Sequence, residues 1–171
     1  MMNPNKAMKL LLRQHNIDVD EVPANNAYPI WKKRDRGGRP YWGVSDFCHL
    51  DRNGVPASED LSQLEWDGNE VTLDADSKDQ VSEILRASIG ILKAWKRQFE
   101  REEPDTPFLI LASYDDGEEL VNQEDHPDGW YSITFRFWAP RGRNTVVNLE
   151  SFEDWEQPAL LAVCNKGTRS L

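Results

Sequence analysis

The segment from Lys78 to Arg101 constrains the fold more than any other stretch of the 171-residue chain. Val81, Ile84, Leu85, Ser88, Leu92, Trp95 and Phe99 recur along it at helical spacing, Ser77 and Gln80 have the separation of a capping box, and Pro104 closes it. A helix of about six turns with one apolar stripe must bury that stripe against something flat. The segments that follow supply the surface: Phe108 to Tyr114, Trp130 to Trp138, Thr145 to Leu149 and Leu160 to Cys164 all read as strands. In WYSITFRFW, Tyr131, Ile133, Phe135 and Phe137 share one face and Ser132, Thr134 and Arg136 the other, so the strand covers a core on one side only. Antiparallel pairing is expected, because parallel crossovers need helices between strands and only one segment is long enough. Between the last two strands, SFEDWEQP reads as a single capped helical turn with Phe152 and Trp155 on a shared side.

Upstream, Asn3-Pro4 predicts the start of a short helix that carries Met8, Leu11, Leu12 and His15 on one face, with Asn16 as a left-handed stop. Residues 18–27 read as an extended connection. Two hairpins are expected after it. One joins Tyr28–Lys33 to Pro40–Phe47 through Gly37-Gly38; the other turns at Asp67-Gly68, with Leu64 and Trp66 alternating before it and Val71 and Leu73 after. The chain is thus predicted to be a single α+β domain over 1–171. A mostly antiparallel sheet packs against one long central helix, with a short N-terminal helix and edge hairpins. Residues 18–27 are expected to be a mobile segment and 115–128 an exposed acidic loop joining two strands. Hydrophobic residues at 39%, seven of them Trp, suffice for one core. No apolar run approaches a membrane span and MMNPNKAMKLLLRQHN lacks the pattern of a secretory signal, so a cytoplasmic location is expected. Cys48 and Cys164 form no CxxC pair and are expected to be buried thiols.

The net charge of -10 is unevenly spread: residues 1–57 carry +3, 58–103 carry -6 and 104–171 carry -7. A negative field of this kind disfavours general adhesion to nucleic acid or anionic lipid and favours encounter with a basic macromolecule. Against it stands the basic island WKKRDRGGRPYW. There Lys32, Lys33, Arg34, Arg36 and Arg39, flanked by Trp31, Tyr41 and Trp42, have the makings of a phosphate-gripping, base-stacking wing, of a contact within the molecule or with a protein partner, or simply of a solvated turn that blunts a sheet edge. The acidic counterpart is SYDDGEELVNQEDHPDGW. Asp115, Asp116, Glu118, Glu119, Glu124, Asp125 and Asp128 crowd it without a single Lys or Arg, and their spacing does not match a calcium loop. Glu153 and Asp154 beside Trp155 form a second acidic patch. Acids interleaved with Trp66, Trp130 and Trp155 suit a surface that steers a basic protein in and then anchors it, although large aromatics are also what cores are made of.

Catalytic signatures are absent: the chain has no GxSxG, HExxH, GxxxxGK[ST] or GxGxxG. The cluster DFCHLD, with Asp46, Cys48, His49 and Asp51, is the weak exception, because adjacent Cys and His on a strand point to opposite faces. No catalytic residue, metal site or cofactor is predicted. The leading expectation is an acidic binding or inhibitory protein that masks a basic partner such as a nuclease-type toxin, in the physical manner of immunity proteins, antitoxins and nucleic-acid mimics. The alternative is a nucleic-acid-binding module that uses the basic hairpin, helped by Arg136, Arg141 and Arg143. An enzyme with an unrecognised site is the third reading.

Overall fold

The computed structural model describes residues 2–44, 55–58, 60–117, 130–141 and 146–165. The long helix is present as α3 (Val81–Glu102), entered through a 3-10 turn at Lys78–Gln80. The expected capping box of Ser77 and Gln80 does not form. The Ser77 side chain makes no cap bond, while Gln80 Oε1 accepts from the Asp76 amide at 3.1 Å. At the other end Asn165, in the left-handed region at φ 50, turns its Nδ2 onto the carbonyls of Phe99, Glu103 and Thr106, where helical partners run out.

Strands β1 (Met2–Pro4), β4 (Val71–Ala75), β5 (Phe108–Asp115), β6 (Tyr131–Trp138) and β7 (Ala159–Cys164) form one sheet in the order β1-β7-β5-β6-β4. Every neighbouring pair is antiparallel, as the alternation in β6 predicts. The stripe of α3 lies on the inner face. Trp95 meets Phe135 and Phe137 edge-on at 6.0 and 5.2 Å, and Phe99 stacks on Phe108 at 3.7 Å. Leu85, Leu92, Phe135 and Phe137 are fully enclosed there. The α+β architecture is therefore as expected, and the first hairpin exists as a separate two-stranded sheet, β2 (Ile30–Arg34) with β3 (Pro40–Val44).

Three local expectations are corrected. The second hairpin does not form: Leu61–Gly68 is a helix, α2, capped by Asp60, whose carboxylate accepts from the Ser62 and Gln63 amides. With that cap in place Leu61 and Leu64 pack against the β2–β3 hairpin, and Asp67-Gly68 ends a helix instead of turning a strand. The strand expected at Thr145 to Leu149 does not form over its described residues, 146–149, where Val146, Val147 and Leu149 pack over the outer face of the sheet instead of pairing with an edge; Thr145 lies outside the described residues. Finally, the N-terminal helix α1 spans Lys6–Gln14 and is capped by Asn5, while Asn3 and Pro4 belong to edge strand β1, where a missing amide is tolerated. Asn16 does take the left-handed conformation expected of it, at φ 51.

Asn5 and Glu65 join these parts. Asn5, fully buried, accepts from the amides of Met8 and Ala159 and donates to the carbonyls of Trp155 and Gln157, tying α1 to β7 and to the turn that carries Trp155. Glu65 on α2 accepts from the Trp42 and Ala139 amides and, through both oxygens, from Arg141. Hairpin, α2 and the end of β6 are locked to one another by this carboxylate. Burial pushes it up from the usual range, against the pull of Arg141 and the two amides.

Candidate functional site

The acidic residues predicted from sequence divide in the structure. Asp115 and Asp116 stand exposed at the end of β5, whereas Glu118, Glu119, Glu124, Asp125 and Asp128 lie outside the described residues. The register adds a residue that sequence reasoning did not select. Ser132 pairs with Asp115 on one side and with Asp74 on the other, so these three side chains form a row on the sheet face opposite α3. Two strand spacings separate the acids, about 10 Å. Asp74 Oδ1 accepts from Trp130 Nε1 at 3.0 Å, and Asp115 Oδ1 accepts from the Gly117 amide at 3.0 Å. Gly117 is required for this geometry: its φ is 60, and a Cβ there would lie 1.8 Å from the Trp130 carbonyl oxygen. Asp76 follows β4 at the same end of the sheet. Among the described residues no ion pair reaches Asp74, Asp76 or Asp115. The phenol of Tyr114, on the inner face, is pushed above its usual value by burial and then by Asp116, Tyr131 and Asp115. The signal for Asp74 lies in VTLDA, whose Thr72 and Asp74 alternate outward, but this strand pairs with β6 and not with residues 64–66.

The basic island is held differently. Lys32 pairs with Glu103 and sits 5.3 Å over the Trp42 ring, Lys33 sits 4.5 Å over Trp31, and Arg34 donates to the Gly38 carbonyl. Arg39 binds Asp35 through Nε at 2.7 Å and reaches the Ala57 carbonyl. Burial works to raise the Asp35 carboxyl, yet the Arg39 bonds outweigh it and hold it low. The Arg36 amide bonds to the Val55 carbonyl. Of the three aromatics proposed to stack on bases, Tyr41 and Trp42 are buried, and Trp31 covers Gly43 so closely that a Cβ there would fall 2.1 Å from the indole. Of the suggested helpers, Arg136 pairs with Glu70 and lies 4.8 Å over Trp66, and Arg141 serves Glu65; Arg143 and the DFCHLD residues lie outside the described residues.

The second acidic patch is matched by cations of the same chain. Glu153 pairs with Lys9 at 2.6 Å and Asp154 with Lys6, both from α1. These pairs are exposed and add little stability, but they leave the patch near neutrality. Trp155 belongs to the outer cluster, 5.1 Å edge-on to Phe152.

That outer cluster covers one part of the outer face. Leu109, Leu111, Trp138 and Leu161 are roofed by Trp66, Val147, Phe152 and Trp155, whereas Thr72, Ser113, Thr134 and the Asp74–Ser132–Asp115 row lie beyond the roof. At the boundary a cleft of about 200 Å³ opens between the indoles of Trp66 and Trp155, with Leu111, Ser113, Thr134 and Arg136 on its floor and Val147 and Gln157 on its walls. Arg136 Nε is shielded from solvent and has no acceptor among the described residues. Among those residues no three His, Cys, Asp or Glu side chains are gathered as a metal would need, and no helix is long and apolar enough to cross a membrane. No protein-family model, curated protein or solved structure matches the chain.

Proposed function

We propose that this protein is a binding module whose acidic sheet end, at Asp74, Asp115 and Asp116 and the carboxylates that follow at 118–128, engages and masks a basic macromolecular partner. The observation that carries this reading is the asymmetry of commitment. Lys32, Lys33, Arg34 and Arg39 of the hairpin are turned onto carboxylates, carbonyls and indoles of their own chain, while Asp74 and Asp115 meet no cation among the described residues. Charges left facing water at one end raise encounter rates with a partner of opposite sign and set its orientation, as phosphate-mimicking inhibitors do towards nucleic-acid enzymes. A nuclease-type toxin is the partner class whose basic site such a surface fits.

The test is affinity capture from a native extract with two variants of opposite design. Neutralising Asp74, Asp115 and Asp116 together with the acids at 118–128 to Asn and Gln should abolish recovery of a basic protein. Replacing Lys32, Lys33, Arg34, Arg36 and Arg39 with Gln should leave that recovery intact. Salt-sensitive binding to DNA or RNA that depends on the five hairpin cations would refute the proposal in favour of nucleic-acid recognition.

A further inference from the structure

We infer that the cleft between Trp66 and Trp155 is the anchoring pocket of this binding surface and takes one aromatic or branched aliphatic side chain of an extended cationic segment. The inference rests on the proposed function and gives it a geometry. The cleft, at about 200 Å³, is smaller than the roughly 300 to 1,000 Å³ that cofactors and drug-sized ligands occupy, and it is of the size for a single large side chain. Its two walls are half-buried indoles held by unrelated elements. Trp66 is held edge-on to Trp138 at 4.9 Å, and the Trp155 indole is held edge-on to Phe152 at 5.1 Å on a turn whose backbone carbonyl Asn5 ties down, so the opening is preorganised before a guest arrives. Rigid aromatic pockets beside a polar rim are where binding energy concentrates in protein interfaces.

The charge pattern selects the guest. From the Leu111–Arg136 row under the cleft, the floor passes through Ser113 and Thr134 to the Asp115–Ser132–Asp74 row. Those rows are four residues apart along the strands, about 14 Å. Hydroxyls along the way can bond a guest backbone, and Arg136 has donors beyond the one it gives Glu70. A strand-like segment that seats an apolar side chain in the cleft therefore brings a Lys or Arg four positions away onto Asp74 and Asp115. An anionic segment is repelled at that row, and a purely apolar one leaves the acids unmatched.

The experiment is selection of a random linear peptide library against the full chain, followed by affinity measurement of the enriched peptides. The expected consensus is an aromatic or branched aliphatic residue with Lys or Arg four positions from it. Filling the cleft with Ser113→Tyr, or independently from its wall with Gln157→Trp, should weaken binding at least tenfold, as should the pair Asp74→Asn and Asp115→Asn, with thermal melts of each variant confirming the fold. Cationic peptides lost with the Asp pair but indifferent to both cleft fillings would overturn the anchor and leave the acidic-surface reading standing. Enriched peptides that need the cleft but carry no cation would refute the cationic-partner reading, and with it the guest assigned here. The absence of any enrichment would overturn the anchor.

Discussion

Arg141→Met tests how firmly the hairpin is fixed to the body of the protein. The substitution keeps an apolar stem and removes the guanidinium that binds Glu65 through Nη1 at 2.9 Å and Nη2 at 2.6 Å, leaving a side chain of 0% exposure with only the Trp42 and Ala139 amides as donors. Deleting one partner of a buried pair costs about 3 to 5 kcal/mol. The Arg141 side chain is still 28% exposed, so water screens part of the attraction and the loss falls near the lower end, about 3 kcal/mol. In a chain of this length that lowers Tm by about 6 to 12 °C. The loss also carries a pH signature. Burial already raises the Glu65 carboxyl, and without its cation the folded state holds the proton to still higher pH. The unfolded chain releases that proton at the ordinary carboxylate value, so stability falls as pH rises from there through the raised folded value. Urea melts of both proteins should thus show a smaller deficit near pH 5 than at pH 8. A deficit below about 1 kcal/mol, or one that ignores pH, would refute the view that a buried carboxylate holds hairpin, α2 and β6 together.

Other joints of the same fold respond to substitution in their own ways. Leu92→Ala or Phe135→Ala should each cost about 2 to 5 kcal/mol by denaturant melt, since both side chains are fully enclosed between α3 and the sheet. Asn5→Ala should cost about 2 kcal/mol or more, because it removes a helix cap and also orphans the Ala159 amide, and should shift Trp155 fluorescence to the red as its turn loosens. Cys164, a buried thiol whose pKa burial pushes up to about 12, should resist thiol reagents at pH 8 until the protein is unfolded. Its raised value also means that stability present below about pH 9 is lost as pH climbs towards 12, because the unfolded chain gives up that proton first.

The long-range packing was legible in the sequence wherever a period ran long enough to be unambiguous. The stripe from Val81 to Phe99 and the alternation from Tyr131 to Phe137 each specify a face, and together they require a helix on an antiparallel sheet. Short segments were not legible, because their outcome depends on partners distant in the chain. LEWDGNEV carries a fair hairpin pattern, yet Asp60 caps a helix there and Glu65 finds Arg141 at a separation of 76 residues, which no local pattern announces. The candidate site was legible in part. Asp115 and Asp116 follow from composition, but the row that joins them to Asp74, and the cleft beside it, exist only through register. The hairpin cations were readable as a cluster. Their commitment to Glu103, Asp35 and the indoles was not, since those partners are chosen by folding.

If a basic partner sits on the acidic end of the sheet, the carboxylates there touch its lysines. Zero-length carbodiimide cross-linking of the captured complex, read by mass spectrometry, tests it directly because the reagent joins carboxylates only to amines in contact with them. Links are expected from partner lysines to Asp74, Asp115, Asp116 and the acids at 118–128. Links confined to acids elsewhere, such as Glu21, Asp105 or Glu156, or a partner joined instead to the lysines of the hairpin through its own carboxylates, would contradict it.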